Sequence, residues 1–245
     1  MSSSDEGAAE PLRISPRIAG LKALKLTPRR QEERRLAAAM RDVTELLVST
    51  TATETELAGA ATELESLASR LRAFSSGQTY RGFAESANAG QAASDLQPGD
   101  SEWYAFFDHS PFIGLANPLS PPVELEYAQD RVVGRVTFGS AYEGPPGCVH
   151  GGYIAAVFDE LLGSAQSLSG IQGMTAHLGV DYRSPTPLHV PLYLEGWLDR
   201  RDGRKIFAKA TLHAEGQLTA EASGLFIEFD RERFAALLAA RDDDQ

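Results

Sequence analysis

Cysteine is almost missing: the 245-residue chain has one, Cys148. A single thiol excludes an internal disulfide framework and any cysteine-based zinc cluster. The histidines His109, His150, His177, His189 and His213 are scattered without the short spacings of a ligand set, so no metal is expected. Long apolar runs are missing too. No stretch reaches the roughly 18 residues that mark a membrane span, and "MSSSDEGAAEP" does not read as a signal peptide. Positive charge is scarce: 23 Lys and Arg stand against 34 Asp and Glu, for a formal net charge of −11. That balance argues against general nucleic-acid binding, which needs basic surfaces to neutralise phosphates. No Walker-type phosphate loop occurs either. What is left is an ordinary globular composition, 42% hydrophobic and 23% charged. The length accommodates one sizeable domain plus an appendage, or two small domains. A cytoplasmic protein is the simplest expectation.

The few basic residues are unevenly spread. Arg13, Arg17, Lys22, Lys25, Arg29, Arg30, Arg34 and Arg35 crowd the start, while Asp242, Asp243 and Asp244 end the chain. Residues 1–27 are expected to be a disordered basic arm. Such an arm could touch an anionic membrane or an acidic partner, but a solvated arm is the commoner fate. Thr27-Pro28 is a helix start, with a hydroxyl cap and proline at the first helical position. Leu36, Ala39, Val43 and Leu46 then follow steps of three and four, and Leu57, Ala60, Leu64, Leu67, Leu71 and Phe74 resume the register. Between them "STTATETE" supplies poor core residues, and Thr53 with Glu56 fits a capping box. The pattern over 28–75 predicts two antiparallel helices, 28–49 and 54–75, in preference to one long helix. Their apolar stripe should be buried against something. Residues 76–100 are rich in Gly, Ser, Ala and Asn without periodicity and read as a linker.

Residues 101–230 have a different texture. "EWYAFF" predicts a short helix and "HSPFIGLANPLSPP" a proline-punctuated loop. "VELEYAQD" and "RVVGRVTFG" alternate and read as a hairpin. A long apolar helix follows at "GGYIAAVFDELLGSA". Behind it come four β-type runs, "MTAHLGVDYRS", "PLYLEGWLDRR", "KIFAKATLHAEG" and "LTAEASGLFIEF". The order predicts an α+β fold, an antiparallel sheet with one central helix covering a face. Residues 231–245 read as a short helix with an acidic tail. Phe106, Phe107, Phe112 and Ile113 could line an apolar channel or simply pack in a core.

The chemistry-bearing stretch is "PPGCVHGGYIAAVFDELLGSA". Glycines at a loop-to-helix junction permit close approach of another group. A helix N-terminus presents unpaired N–H groups with partial positive charge. Gly151 and Gly152 could therefore bind a carbonyl oxygen as it becomes an oxyanion, or form a plain turn. Asp159 lies about 100° round from Phe158, at the flank of the stripe made by Ile154, Val157, Phe158, Leu161 and Leu162. Its own row, with Ala155 and Leu162, is apolar, which points to a partly desolvated cleft. Gly151 and Asp159 are about 12 Å apart along one helix, whereas two groups acting on one carbon must converge on it. If both are catalytic, they come from different copies and the protein is at least a dimer.

"HGGYIAAVFDELLG" resembles the His-Gly-Gly, six residues, Asp signature of PaaI-like hotdog-fold acyl-CoA thioesterases, in the 4-hydroxybenzoyl-CoA thioesterase-like superfamily. "YEGPPGCVHGG" and "DYRSPTPL" are similar to the branch that includes the human thioesterase superfamily members. The resemblance covers residues 101–230. It implies a hotdog fold, an antiparallel sheet wrapped around a central helix, with the N-terminal helices as an extension. It implies hydrolysis of an acyl-CoA thioester to acid and CoA by a homo-oligomer, a dimer at least, with a tetramer open. Coenzyme A would enter as part of the substrate, and no separate cofactor is implied. By resemblance, Gly151 N–H binds the thioester carbonyl oxygen, and Asp159 of the other subunit activates water or attacks directly. Thr175 positions that water. His150 either polarises the carbonyl or anchors the turn. Some members carry Asn or Gln six residues before the histidine; here Gly144 stands there, preceded by Glu143, so either Glu143 replaces that contact or it is missing.

Gly152, Glu143, Gly144 and Arg183 complete the expected substrate-binding set. Arg183, Arg200, Arg201, Arg204 and Lys205 could meet CoA phosphates or be ordinary hairpin charges, with nothing in the sequence to separate the two. Cys148 is expected to be a packing residue. Two other functions compete: a hotdog enoyl-CoA hydratase or dehydratase, and a non-catalytic acyl-CoA-binding or scaffolding protein working through its N-terminal helices.

Overall fold

A computed structural model describes residues 26–74, 108–121, 123–128, 130–171 and 173–228. The linker over 76–100, the helix expected at "EWYAFF", the C-terminal helix and tail, and nearly all of the basic arm lie outside the described residues. Two compact units emerge. One carries the sheet from Val123 onward; the other carries the N-terminal helices, the loop that follows them and the short Gly139–Tyr142 turn.

In the helical unit, α1 spans Pro28–Ser49 and α2 spans Glu54–Arg72. Thr27 caps α1, its Oγ1 accepting from Arg30 N–H at 3.3 Å, with proline following at the first helical position. Thr53 and Glu56 form the capping box expected of α2. The Glu56 carboxylate accepts from Thr53 N–H at 2.8 Å, and that bond holds its carboxyl below the usual glutamate range. The expected antiparallel packing of these helices is not made: they do not lie side by side, and α2 buries none of its residues.

The cause is the face that α1 uses. Arg34 pairs with the buried Asp108 at 2.8 Å. Arg41 donates to the carbonyl of Asn117 at 2.9 Å, and the Glu45 carboxylate accepts from Ser140 and Ala141 N–H at 2.7 and 2.9 Å. These three side chains fall within about 40° of one another around the helix. Leu36, Met40, Val43 and Leu47 occupy the opposite side and stay exposed. Charged groups anchor α1 and its apolar stripe is left outward.

In the sheet unit, β1 (Glu124–Ala128), β2 (Arg131–Val136), β3 (Gly173–Tyr182), β4 (Leu192–Asp202), β5 (Lys205–Ala214) and β6 (Gln217–Glu228) form one sheet in the order β1-β2-β4-β5-β6-β3. Every pairing is antiparallel. The helix α3, Gly151–Gln166, packs against β2, β3, β4, β5 and β6, so the sheet wraps it in the hotdog arrangement. Its stripe of Ile154, Val157, Phe158, Leu161 and Leu162 is buried. On β5 the alternation is clean, with Ile206, Ala208, Ala210 and Leu212 turned inward. Small residues at these positions let a helix ride close to the sheet. At Gly196 of β4 a Cβ would stand 2.9 Å from Leu161 Cγ, so glycine sets the closest approach. Truncating a leucine in such a core costs about 2–5 kcal/mol. The strand β3 bonds only to β6 and closes the sheet as an edge, with Met174, Thr175, Ala176 and His177 exposed.

Candidate functional site

The loop before α3 is built by backbone pairing. Gly144 N–H donates to Cys148 carbonyl at 2.9 Å, Val149 N–H to Thr186 carbonyl at 2.8 Å, and Leu188 N–H to Gly147 carbonyl at 3.1 Å. The "YRSPTPL" stretch therefore forms the wall on which "GCVHGG" is laid, which gives the two motifs a common structural reason. The Glu143 carboxylate accepts from Gly147 N–H at 2.6 Å and holds the Pro145-Pro146-Gly147 turn, where Gly147 has φ +74°. Gly144 lies under His150: a Cβ there would stand 2.7 Å from His150 Cα. Both residues thus have a role in shaping the loop. Cys148 is half-buried within it.

His150 is the N-cap of α3. Its Nδ1 accepts from Gly152 N–H at 3.0 Å, which puts the proton of a neutral ring on Nε2. Gly151 occupies the first helical position, where an N–H has no partner inside the helix. Gly151 N–H makes no hydrogen bond among the described residues. Its carbonyl accepts from Tyr182 hydroxyl at 2.8 Å, so the end of β3 pins the glycine turn. Sequence reasoning quoted Tyr182 within "DYRSP" but gave it no role. Its partner is 31 residues away, across a sheet-to-helix contact that no local pattern encodes.

Asp159 and Thr175 come together. Thr175 Oγ1 donates to Asp159 Oδ1 at 3.0 Å, linking the middle of α3 to the open edge strand. Asp159 is half-buried and Thr175 exposed, so the carboxylate opens to the surface beside an accepting strand edge. Within one chain this pair does not meet Gly151: eight helical residues separate them, about 12 Å. A backbone N–H without a helical partner thus sits at one end of α3, and a carboxylate held by Thr175 sits midway along it.

Arg183 is already engaged. Its Nε donates to Glu221 at 2.8 Å and its terminal nitrogen contacts the same carboxylate, which raises the guanidinium pKa further. Two of the β4–β5 hairpin cations are also paired: Arg200 with Asp199 at 2.8 Å and over the Phe207 ring, and Arg201 with Glu228 at 3.2 Å. Lys209 joins Asp199 at 2.9 Å, a bond that lowers that carboxyl. Of the apolar channel candidates, Ile113 is buried and Phe112 half-buried, while Phe106 and Phe107 fall outside the described residues.

An antiparallel sheet wrapped around one central helix defines a hotdog protein, and the comparisons with known proteins agree with that fold. The thioesterase superfamily model matches residues 146–221. A crystal structure of a thioesterase superfamily protein is 35% identical with a TM-score of 0.66, covering 80% of this chain and 94% of that one. That coverage is more than the region from Val123 onward contains, so the likeness runs into the N-terminal part. The chain belongs to the thioesterase superfamily. Acyl-coenzyme A thioesterase THEM4 of Rattus norvegicus is 36% identical over 108 residues, 43% of this chain and 46% of that protein. Acyl-coenzyme A thioesterase THEM5 of Homo sapiens is 31% identical over 96 residues, 38% and 39% of the two chains. The chain spans less than half the length of these curated relatives.

Proposed function

We propose that this protein is an acyl-CoA thioesterase whose catalytic site is shared between two copies. The observation that carries the proposal is the 3.0 Å Thr175–Asp159 hydrogen bond at the open edge of the sheet, with the unpaired Gly151 N–H on the same helix. In each site Gly151 N–H of one copy receives the thioester carbonyl oxygen as it gains negative charge. Asp159 of the other copy takes a proton from the attacking water, or attacks the carbonyl carbon itself, in which case loss of thiolate leaves a mixed anhydride that water then hydrolyses to free the acid and Asp159. Thr175 fixes the orientation of that carboxylate and of the water. The tetrahedral intermediate collapses with loss of the CoA thiolate, a good leaving group that needs little proton assistance. The exposed edge β3 beside Asp159 supports a second copy there, since an unpaired strand edge is a template for another chain.

His150 supports hydrolysis over hydration. A hydratase site uses its imidazole as a proton-transfer base, whereas here Nδ1 is occupied as the helix cap. Coenzyme A binding by Arg183, Arg200 or Arg201 is not part of the proposal, because all three are paired with carboxylates. The test is thiol release from a panel of acyl-CoAs differing in chain length and aromaticity. Wild type is expected to hydrolyse at least one, and Asp159→Asn to lose 10²–10⁴-fold in rate, the usual worth of a general base, while keeping its fold. Undiminished hydrolysis by Asp159→Asn would sink the proposal. Hydration of an enoyl-CoA without thiol release would point to the other hotdog chemistry.

A further inference from the structure

The helix α2 is 19 residues long, capped at both ends, and buries none of them. Most helical stability in proteins comes from packing an amphipathic face, so its apolar side chains call for a cover. Leu57, Leu64 and Leu71 recur every seven residues, alternating with Ala60, Leu67 and Phe74. This is the a/d seam of a coiled coil, about 21 Å long from Leu57 to Leu71, with Phe74 continuing it in the turn just past the helix end. Leu57, Leu64, Leu71 and Phe74 are 39, 44, 48 and 72% exposed, although the stripe on α1 is close in sequence. That stripe cannot supply the cover within one chain, because α1 and α2 do not lie side by side.

Charge says what does. Beside the seam, on one flank, stand Glu56, Glu63 and Arg70; the N-terminal half of α2 is acidic and its last turn carries Arg70 and Arg72. Two copies of α2 running antiparallel bring the glutamates of each against Arg70 of the other. In full overlap, Leu57 meets Phe74 of the second copy, Ala60 meets Leu71, and Leu64 meets Leu67, so an apolar residue faces an apolar residue at every layer. A parallel pair would set Glu56 and Glu63 opposite Ala61 and Ala68, gain no ion pair and align both helix dipoles. The acidic half also disfavours an anionic lipid surface as the cover.

We propose that α2 is a self-association element, an antiparallel helix pair joining two copies of this chain through the Leu57–Phe74 seam. This contact is separate from the shared catalytic site and does not depend on the proposed reaction. A two-fold axis at α2 and another at the catalytic pairing together build a tetramer; either alone leaves a dimer.

The test uses the full chain. In a Cys148→Ser background, Leu57→Cys and Phe74→Cys are made singly and mixed before mild oxidation. Cross-linked dimer is expected from the mixture, with little from either variant alone. Efficient self-cross-linking of Leu57→Cys would overturn the antiparallel pairing. Separately, Leu64→Glu places like charges at the centre of the seam on an exposed position, where the fold does not depend on leucine. The particle mass by light scattering is expected to fall to half, with helical circular dichroism of the remainder and rate per chain unchanged. An unchanged mass for Leu64→Glu would overturn the proposal, whether the chain's own segments or another protein cover the seam.

Discussion

A site shared between two copies, as proposed, makes a quantitative demand that an intrachain site cannot meet. Consider two dead variants, Asp159→Asn and Gly151→Pro. The second removes the N–H without breaking the helix, because proline is favoured at the first helical position. His150 already has φ −62° and ψ 130°, the extended geometry that a residue before proline requires. A Cβ at position 151 would lie 3.2 Å from the Tyr182 hydroxyl, a contact that the exposed tyrosine can relieve. Loss of one oxyanion donor is worth about 10²–10³ in kcat, so both parents should be nearly inactive. If the two are co-assembled at equal amounts, half of the two-fold dimers are mixed. In each mixed dimer one site holds two mutations, and the other pairs wild-type Gly151 with wild-type Asp159. The mixture should therefore recover about a quarter of wild-type activity, since half of the dimers carry one of two working sites. Thiol release from acyl-CoA reads the rate, and differently tagged chains verify that mixed dimers formed. Mixed dimers no more active than the parents would refute the two-copy site, since a single-chain site leaves no intact combination.

Three further outcomes follow from named contacts. Thr175→Val removes the only side-chain hydrogen bond to Asp159 among those described, on an exposed strand position; a charged hydrogen bond of about 1.5–3 kcal/mol predicts roughly a ten- to hundredfold fall in kcat with the fold retained by circular dichroism. His150→Ala loses the cap of α3 and should cost about 0.5–2 kcal/mol in thermal or urea unfolding, whereas His150→Asn should restore both stability and turnover if the ring acts through the cap; a dead but stable His150→Asn would instead give the imidazole a direct role. Glu56 has a folded-state pKa below its ordinary value, so its contribution to α2 is complete at neutral pH and is lost as pH falls from the usual glutamate value, about 4.3, through the lowered one. Glu56→Gln should remove that acid-dependent loss of helical signal, and an identical acid profile in both proteins would count against the capping box.

The sheet and its helix were legible because their signals are local. Alternation on β5, the turn residues between strands and the apolar stripe of α3 each sit within a dozen residues, and burial rewards all of them together. The capping box of α2 was readable from Thr53 and Glu56 for the same reason. The orientation of α1 was not. Its stripe of leucines predicted a buried face, yet the partners that anchor the helix lie far along the chain: Asp108 is 74 residues from Arg34, and Ser140 is 95 from Glu45. Periodicity reports that two faces differ without saying which one docks. Tyr182 escaped for a related reason, since its bond to the Gly151 carbonyl depends on where β3 ends relative to the start of α3. Glu143 looked like a candidate for the substrate contact, but its carboxylate accepts from Gly147 N–H, a use that only the turn geometry reveals.

Asp159 shows how far spacing alone can carry an inference. A carboxylate on an apolar row of a core helix is a local conflict, and such conflicts persist where something else compensates. Part of the compensation is Thr175, found at the expected strand position and at hydrogen-bond distance. The rest is its place on the flank of the stripe, half-buried, where α3 leaves the sheet edge open. The helix α3 packs against β2, β3, β4, β5 and β6, and in the proposed function the flank beside the edge strand β3 is where a substrate and a second copy would reach the carboxylate. In the proposed two-copy site, the rigidity that keeps Gly151 and Asp159 apart on one helix also fixes the spacing between sites: two antiparallel helices would present two sites, each with one group from either chain. A carboxylate moved one turn toward Gly151, to Ala155, would lose Thr175 and shift about 6 Å along the axis, so Asp159→Ala with Ala155→Asp should stay inactive although the helix keeps its charge.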